Sequence, residues 1–133
     1  MTFCLNSTII KPEDNVEIKN AIILLHGYGG DGKDISLLSL NWKRYLPNTI
    51  FICPNGHEEC PINPSGFQWF DLTRDDPNYI LEQSIQAEKK LKLKSSPFFR
   101  PKLVALIIIS KFLISDFRSF QEIIFKKLNF FFK

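Results

Sequence analysis

Glycine is missing from the second half of this 133-residue chain, because all six glycines lie at or before Gly66. Domains built of alternating strands and helices normally use glycine at their later turns and helix ends. Histidine is also scarce: only His26 and His57 occur, and the last 76 residues contain none. A mechanism that takes its histidine base from the C-terminal part of the chain is therefore excluded for these 133 residues.

Cysteine is too scarce for a disulfide scaffold, since Cys4, Cys53 and Cys60 are the only three and leave one unpaired. A reduced, cytoplasmic setting is the simpler interpretation. The N-terminus has no basic start followed by a long apolar run, so no signal peptide is predicted. The longest purely apolar stretch, Leu103–Ile109, is too short for a transmembrane segment.

The charge pattern divides the chain into two regions. The net charge of +3 is too small to indicate nucleic acid as a partner. Residues 1–94 carry 10 Lys/Arg against 12 Asp/Glu, whereas residues 95–133 carry 7 against 2 and hold nine of the thirteen phenylalanines. We interpret residues 1–94 as part of a domain. For the Lys/Phe/Ile-rich tail 95–133 our hypothesis is an out-of-frame or degenerated coding sequence, which the other reading frames of the gene would test.

Periodicity predicts an α/β fold with a parallel sheet and flanking helices. Two short apolar runs, Ala21–Leu25 and Thr49–Cys53, are typical of buried strands. Helical spacing follows over residues 35–45 and 79–94, and the proline-rich residues 54–78 are predicted to form a long loop. The resulting order βαβα is that of parallel α/β proteins.

The glycine-rich turn after the first strand, GYGGDGKD, matches two nucleotide-binding templates incompletely. Gly27, Gly29 and Gly32 satisfy the dinucleotide fingerprint, but no acidic residue ends the next strand to hold a ribose. The phosphate-loop pattern is satisfied through Lys33, but Asp34 stands where a hydroxyl should bind Mg²⁺. A carboxylate at that place would also repel phosphate.

A third interpretation begins one residue earlier, with a strand that ends in His26-Gly27. Such a strand, followed by a loop of accessible backbone N–H groups, is how α/β-hydrolases form half of an oxyanion hole. A glycine-rich turn that binds nothing explains this motif equally well. The motif by itself leaves both interpretations open.

A second motif favours the hydrolase interpretation. Residues 51–56 read FICPNG and residues 63–72 read NPSGFQWFDL. With the preceding LHGYG turn, they resemble the phospholipase/carboxylesterase family of small serine hydrolases, similar to acyl-protein thioesterases. The resemblance covers about residues 18–94. It implies an incomplete α/β-hydrolase fold, truncated before the nucleophile elbow, a small ester or thioester substrate, and no cofactor.

The resemblance also assigns roles to individual residues. The backbone N–H of Tyr28 becomes an oxyanion donor, Gly27 and Gly29 shape its loop, and His26 is a structural residue. Trp69 and Phe67 are expected to line the mouth of the acyl pocket; the alternative is that they, with Phe70, only pack the loop onto the sheet. Their neighbour Phe70 is expected in the core, and Asp71 as a loop anchor because it precedes any nucleophile.

No nucleophile or base is identified. The nucleophile elbow G-x-S-x-G requires glycines that residues 67–133 lack. Ser110 follows an apolar run, but Ile108 and Phe112 occupy the glycine positions, so an ordinary strand-end serine is favoured. We therefore expect this chain to be inactive alone.

Three other interpretations complete the sequence-based analysis. Cys53, His57 and Cys60 form C-x₃-H-x₂-C, which lacks paired spacings and a fourth ligand, so no metal site is predicted. A non-catalytic binding fragment with a basic tail is the main functional alternative, ahead of a phosphate-loop nucleotide binder. Sheet edges left open by the missing part of the fold would allow self-association.

Overall fold

A computed structural model describes residues 2–3, 5–91, 93–94 and 102–108 of the chain. Their elements are the strands β1 (Thr2–Phe3), β2 (Ser7–Ile10), β3 (Asn20–Leu25), β4 (Thr49–Pro54), β5 (Glu58–Cys60), β6 (Asn63–Gln68), β7 (Leu93–Lys94) and β8 (Lys102–Ile108), and the helices α1 (Gly32–Trp42) and α2 (Pro77–Lys90).

The central sheet has four strands in the order β2-β4-β3-β8. Strand β3 pairs in parallel with both β4 and β8, as the alternation of strands and helices predicts. Strand β2 instead runs antiparallel to β4, with Ser7 opposite Pro54, so the sheet is mixed. The sequence-based prediction of a wholly parallel sheet missed β2, because its four residues are only partly buried and give no strong apolar signal.

Both faces of β3 are covered, which explains its continuous apolar sequence. Side chains alternate across a strand, so Ile22 and Leu24 face one layer while Ile23 and Leu25 face the other. Ile22 and Leu24 pack against Ile35, Leu38 and Trp42 of α1. Ile23 and Leu25 pack against Ile80 and Ala87 of α2. The glycine-rich turn therefore follows a strand that is packed on both faces, by α1 on one and by α2 on the other.

Each helix starts at an aspartate that caps it. The carboxylate of Asp31 accepts a hydrogen bond from the Asp34 N–H at 2.7 Å, so α1 begins at Gly32, three residues before the predicted start. The carboxylate of Asp76 accepts from the N–H groups of Asn78 and Tyr79, and Pro77 occupies the first helical position of α2.

The predicted long loop 54–78 contains an antiparallel hairpin formed by β5 and β6. The hairpin lies against the glycine-rich turn, where Gly30 and Phe67 form an isolated bridge. A side chain at Gly66 would overlap the carbonyl oxygen of Gly29, so this close approach requires glycine. The loop prediction was wrong because the bonds that order this segment reach the turn, more than thirty residues away.

Within the described residues, no helix has the length and apolar character needed to cross a membrane. The tail contributes β8, whose register with β3 runs from Asn20↔Lys102 to Leu25↔Ile108. Ser110 and Phe112 lie outside the described residues, as do most of the other residues of the tail.

Candidate active site

In the turn after β3, some backbone N–H groups are hydrogen-bonded to other described residues and others are not. Gly29 donates its N–H to the Phe67 carbonyl at 3.0 Å, and Gly30 donates its N–H to the Gly27 carbonyl at 3.1 Å. Among residues 5–91, the N–H groups of Gly27 and Tyr28 have no hydrogen-bond acceptor. Within that range, two adjacent amides at this end of the sheet thus have no protein acceptor.

Gly29 has the backbone conformation that allows this turn. Its φ of +72° lies in the left-handed region, where an L-residue that has a side chain is conformationally strained. Its carbonyl accepts a hydrogen bond from the Asn63 side chain at 2.7 Å, and its N–H is bound to Phe67. Residues of strand β6 therefore bind both the N–H and the carbonyl group of Gly29, the residue that follows Tyr28.

His26 lies beneath the turn and is 2% exposed. Its Nε2 accepts a hydrogen bond from the Gly56 N–H at 2.8 Å, and its Nδ1 is 2.7 Å from the Gly27 carbonyl oxygen. Burial lowers the pKa of this imidazole, although its bond to the Gly27 carbonyl and the charge of Asp31 oppose the shift. A neutral ring with its proton on Nδ1 satisfies both contacts.

The side chain of Tyr28 is half-buried at the rim of the site. Burial raises the pKa of its phenol, and so do its hydrogen bond with the Cys60 thiol and the nearby Asp71 and Tyr79. The phenol therefore stays protonated at neutral pH.

The two aromatic residues predicted at the pocket mouth occupy different places. Trp69 is 5% exposed, stacks on His26 and belongs to the core with Ile23 and Leu25. Phe67 is half-buried, with its ring 6.5 Å from that of His26. The indole N–H of Trp69 donates to the main-chain carbonyl of His26, and its place at the mouth of an acyl pocket stays a prediction. Of the two residues, Phe67 is the one with an accessible ring.

The expectations for Phe70 and Asp71 are confirmed. Phe70 is 2% exposed and lies in the same core cluster as Trp69. The carboxylate of Asp71 accepts hydrogen bonds from the Thr73 N–H at 2.9 Å and from its hydroxyl at 2.7 Å. These bonds lower the pKa of Asp71, which remains a charged loop anchor at neutral pH.

Comparison with known proteins agrees with this geometry. The sequence model of the phospholipase/carboxylesterase family matches residues 5–97, about seven tenths of the chain. This chain belongs to the phospholipase/carboxylesterase family. Similar solved structures include esterase PE8, with 35% sequence identity over 65% of this chain and a TM-score of 0.58. Another is acyl-protein thioesterase 2 of Zea mays, with 25% identity over 75% of this chain and a TM-score of 0.45. The chain spans 41% and 44% of those two structures.

The hydrogen bonds of the glycine-rich turn argue against a phosphate cradle, one of the alternatives for this motif. A phosphate cradle needs free amides on successive residues. Here the N–H of Gly32 donates to the Asn55 side chain at 2.7 Å and that of Asp34 donates to Asp31. The exposed Lys33 therefore lies between two residues, Gly32 and Asp34, whose N–H groups already have protein acceptors.

The two described cysteines near the glycine-rich turn are buried in the fold. Cys53 is fully buried in β4, and burial raises the pKa of its thiol to about 12. Cys60 is 2% exposed beside Gly29 and Tyr28. His57 makes its contact with the Glu58 carboxylate at 3.4 Å. In the described part of the chain, no three such side chains form a group suited to a metal ion.

Sequence reasoning missed the polar residues that hold the turn from outside. Asn55, Gly56 and Asn63 each form a hydrogen bond with the turn region. All three lie in the segment predicted as a loop. The available signal was their type, because asparagine and glycine beside proline usually serve a specific local geometry.

Proposed function

We propose that this chain forms the oxyanion-binding side of a serine hydrolase site that acts on carboxylic esters or thioesters. One observation carries the proposal. The Gly27 carbonyl accepts hydrogen bonds within the fold, whereas the N–H of Tyr28, on the same peptide unit, has no acceptor among residues 5–91. A peptide held in this way presents a fixed N–H donor to a ligand.

Ester and thioester hydrolysis gives such a donor its use. When a nucleophile adds to the substrate carbonyl, the carbonyl oxygen becomes negatively charged. A donor that is already oriented stabilises this charge without reorganising, and loss of one such donor typically slows catalysis by about 10²–10³-fold. Family membership and the identity of 35% with an esterase support ester bonds as the target.

The other half of the reaction requires groups that these 133 residues do not supply. No glycine follows Gly66 and no histidine follows His57, so neither a nucleophile elbow nor a late general base is encoded. Ser110 lies between Ile108 and Phe112, which would crowd a strained elbow. We therefore propose that the 133-residue polypeptide binds the carbonyl oxygen but does not turn over esters.

The turnover test uses p-nitrophenyl acetate and a fluorophosphonate probe on the full chain. We expect hydrolysis no faster than that of the heat-unfolded chain, and no covalent adduct by intact-protein mass spectrometry. A stoichiometric adduct on Ser110 would overturn the proposal of inactivity.

The binding test uses sodium octanoate, whose carboxylate resembles the charged oxygen of the reaction. Titration into ¹⁵N-labelled protein is expected to shift the Tyr28 amide resonance in a saturable way. Tyr28→Phe keeps the backbone donor and should preserve the shift. Tyr28→Pro removes the donor and should abolish octanoate binding. A folded wild-type chain whose Tyr28 resonance does not respond would contradict the oxyanion role.

Phe67 is the proposed contact for the acyl chain. It lies in β6, and its half-buried ring belongs to the residue whose main chain bonds Gly29 and Gly30, next to Tyr28 in the turn. Trp69 lies in the core below the turn, where its ring stacks on His26. Phe67→Ala should weaken octanoate binding more than acetate binding, because only the longer acyl chain reaches the ring.

Self-association through β8 is a further proposal for this polypeptide. In the described residues β8 pairs on one side, with β3, and its sequence KLVALII is almost wholly apolar. Such an edge is a template for another strand. Light scattering across protein concentrations should show a mass above 15.5 kDa that rises with concentration; a constant monomer mass would contradict this proposal.

Cytoplasmic location is likewise proposed, because Cys53 and Cys60 are free and buried.

A further inference from the structure

We infer that His26 is a positioning residue for the oxyanion donor, which it orients by donating its Nδ1–H to the carbonyl of the Gly27–Tyr28 peptide. The inference rests on the proposed function of the Tyr28 N–H. It assigns to His26 more than the structural position at a strand end that the sequence indicates.

The argument begins with the planarity of one peptide unit. The Gly27 carbonyl and the Tyr28 N–H belong to the same peptide, and every peptide bond described is trans. In a trans peptide these two groups point in opposite directions. Whatever fixes the direction of the Gly27 carbonyl therefore fixes the direction of the Tyr28 N–H.

Two donors fix that carbonyl. The Gly30 N–H lies 3.1 Å from the Gly27 oxygen and closes the turn, whereas His26 Nδ1 is closer, at 2.7 Å. Removal of the imidazole donor would leave only the turn bond. Since a peptide plane in a glycine-rich turn rotates easily, the second donor restricts the orientation of the N–H.

The proton on Nδ1 is a consequence of tertiary structure. The Gly56 N–H donates to Nε2 at 2.8 Å, and a ring nitrogen that accepts a hydrogen bond carries no proton. The neutral ring must then have its proton on Nδ1, where the Gly27 oxygen accepts it. Gly56, thirty residues away, thereby selects the tautomer that orients the Tyr28 amide.

A purely packing role for His26 predicts something different. Its ring stacks on Trp69 at a centroid distance of 5.3 Å, and any flat side chain of similar size would preserve much of that contact. Packing alone makes no distinction between the two ring nitrogens. The two amide side chains separate the roles, because asparagine places its terminal atoms near Nδ1 whereas glutamine reaches the place of Nε2.

The test compares His26→Asn with His26→Gln by sodium octanoate titration of the Tyr28 amide resonance. Asparagine retains a donor for the Gly27 oxygen and should change the octanoate affinity little. Glutamine retains an acceptor for Gly56 but not that donor, and should weaken octanoate binding by about tenfold, the effect of losing one hydrogen bond. Equal weakening in two folded variants would overturn the inference.

A measurement on the wild-type chain keeps the inference testable if either variant fails to fold. Long-range ¹H–¹⁵N spectra of histidine-labelled protein report which nitrogen of His26 is protonated. We expect Nδ1–H, and a proton on Nε2 would overturn the inference whether or not octanoate binds. Absence of an octanoate response with Nδ1–H in place would instead contradict the proposed function and leave the tautomer assignment standing.

Discussion

The indole N–H of Trp69 donates a hydrogen bond to the main-chain carbonyl of His26 at 3.0 Å, and the two rings stack with their planes 28° apart. The residues are 43 positions apart in the chain. They belong to the two motifs on which the family resemblance depends. The contact therefore joins the LHGYG turn directly to the NPSGFQWFDL segment.

Trp69→Phe should destabilise the fold by about 1–3 kcal/mol, because a buried carbonyl loses its donor while an aromatic ring remains. Urea unfolding measures the loss. Trp42→Phe is the matched control: Trp42 is half-buried against Phe51, and within residues 5–91 its indole N–H has no acceptor. Equal losses of stability in the two variants would contradict a specific role for the Trp69 bond.

Gly66→Ala should destabilise the chain by about 1–3 kcal/mol, the typical cost of forcing extra atoms into a packed site. The added methyl group would overlap the Gly29 carbonyl, so the hairpin must move away from the turn. Thermal or urea unfolding gives the magnitude. Ser65→Ala, at the adjacent exposed position, should change stability very little. An unchanged midpoint for Gly66→Ala would argue against the close contact.

Stability should fall as the pH decreases below 6.5, the ordinary pKa of histidine, because burial lowers the pKa of His26 in the folded state. Between the folded and unfolded pKa values the unfolded chain binds more protons, so free energy of unfolding rises with pH in that window. The charge of Asp31 opposes the shift and narrows the window.

The control for this pH dependence is the other histidine. Unfolding midpoints measured from pH 7 downwards should show a shallower slope for His26→Gln than for the wild type. His57→Gln should retain the wild-type slope, since it leaves the buried imidazole in place. The reverse order of slopes would assign the pH dependence to His57.

Asp76→Ala should cost about 1 kcal/mol of stability, because Asp76 caps α2 through the N–H groups of Asn78 and Tyr79. Asp75→Ala removes the same charge from the neighbouring exposed position, for which no capping bond is found in the described residues. Urea unfolding of the pair therefore separates capping from net charge. A loss of equal size in both variants would favour a charge effect.

Much of the secondary structure followed from local sequence. Strands β3 and β4 are continuous apolar runs, and their observed ends differ from the prediction by one residue each. The prediction for α2 starts two residues late and ends four residues late, because the Asp76 cap was overlooked and the pattern continues past Lys90. The hairpin was missed because β6 contains Pro64 and Gly66, both of which oppose strand formation locally.

The sequence by itself determined the buried strands, the glycine-rich turn between β3 and α1, and the lack of any late glycine or histidine, because composition and periodicity are local properties of the chain. Only the tertiary structure decided which amides of the turn are bonded to other described residues and which nitrogen of His26 carries the proton. It also placed Trp69 in the core. These properties depend on hydrogen bonds with Asn55, Gly56 and Phe67, which are remote in sequence and reach the turn only after the sheet and hairpin have formed.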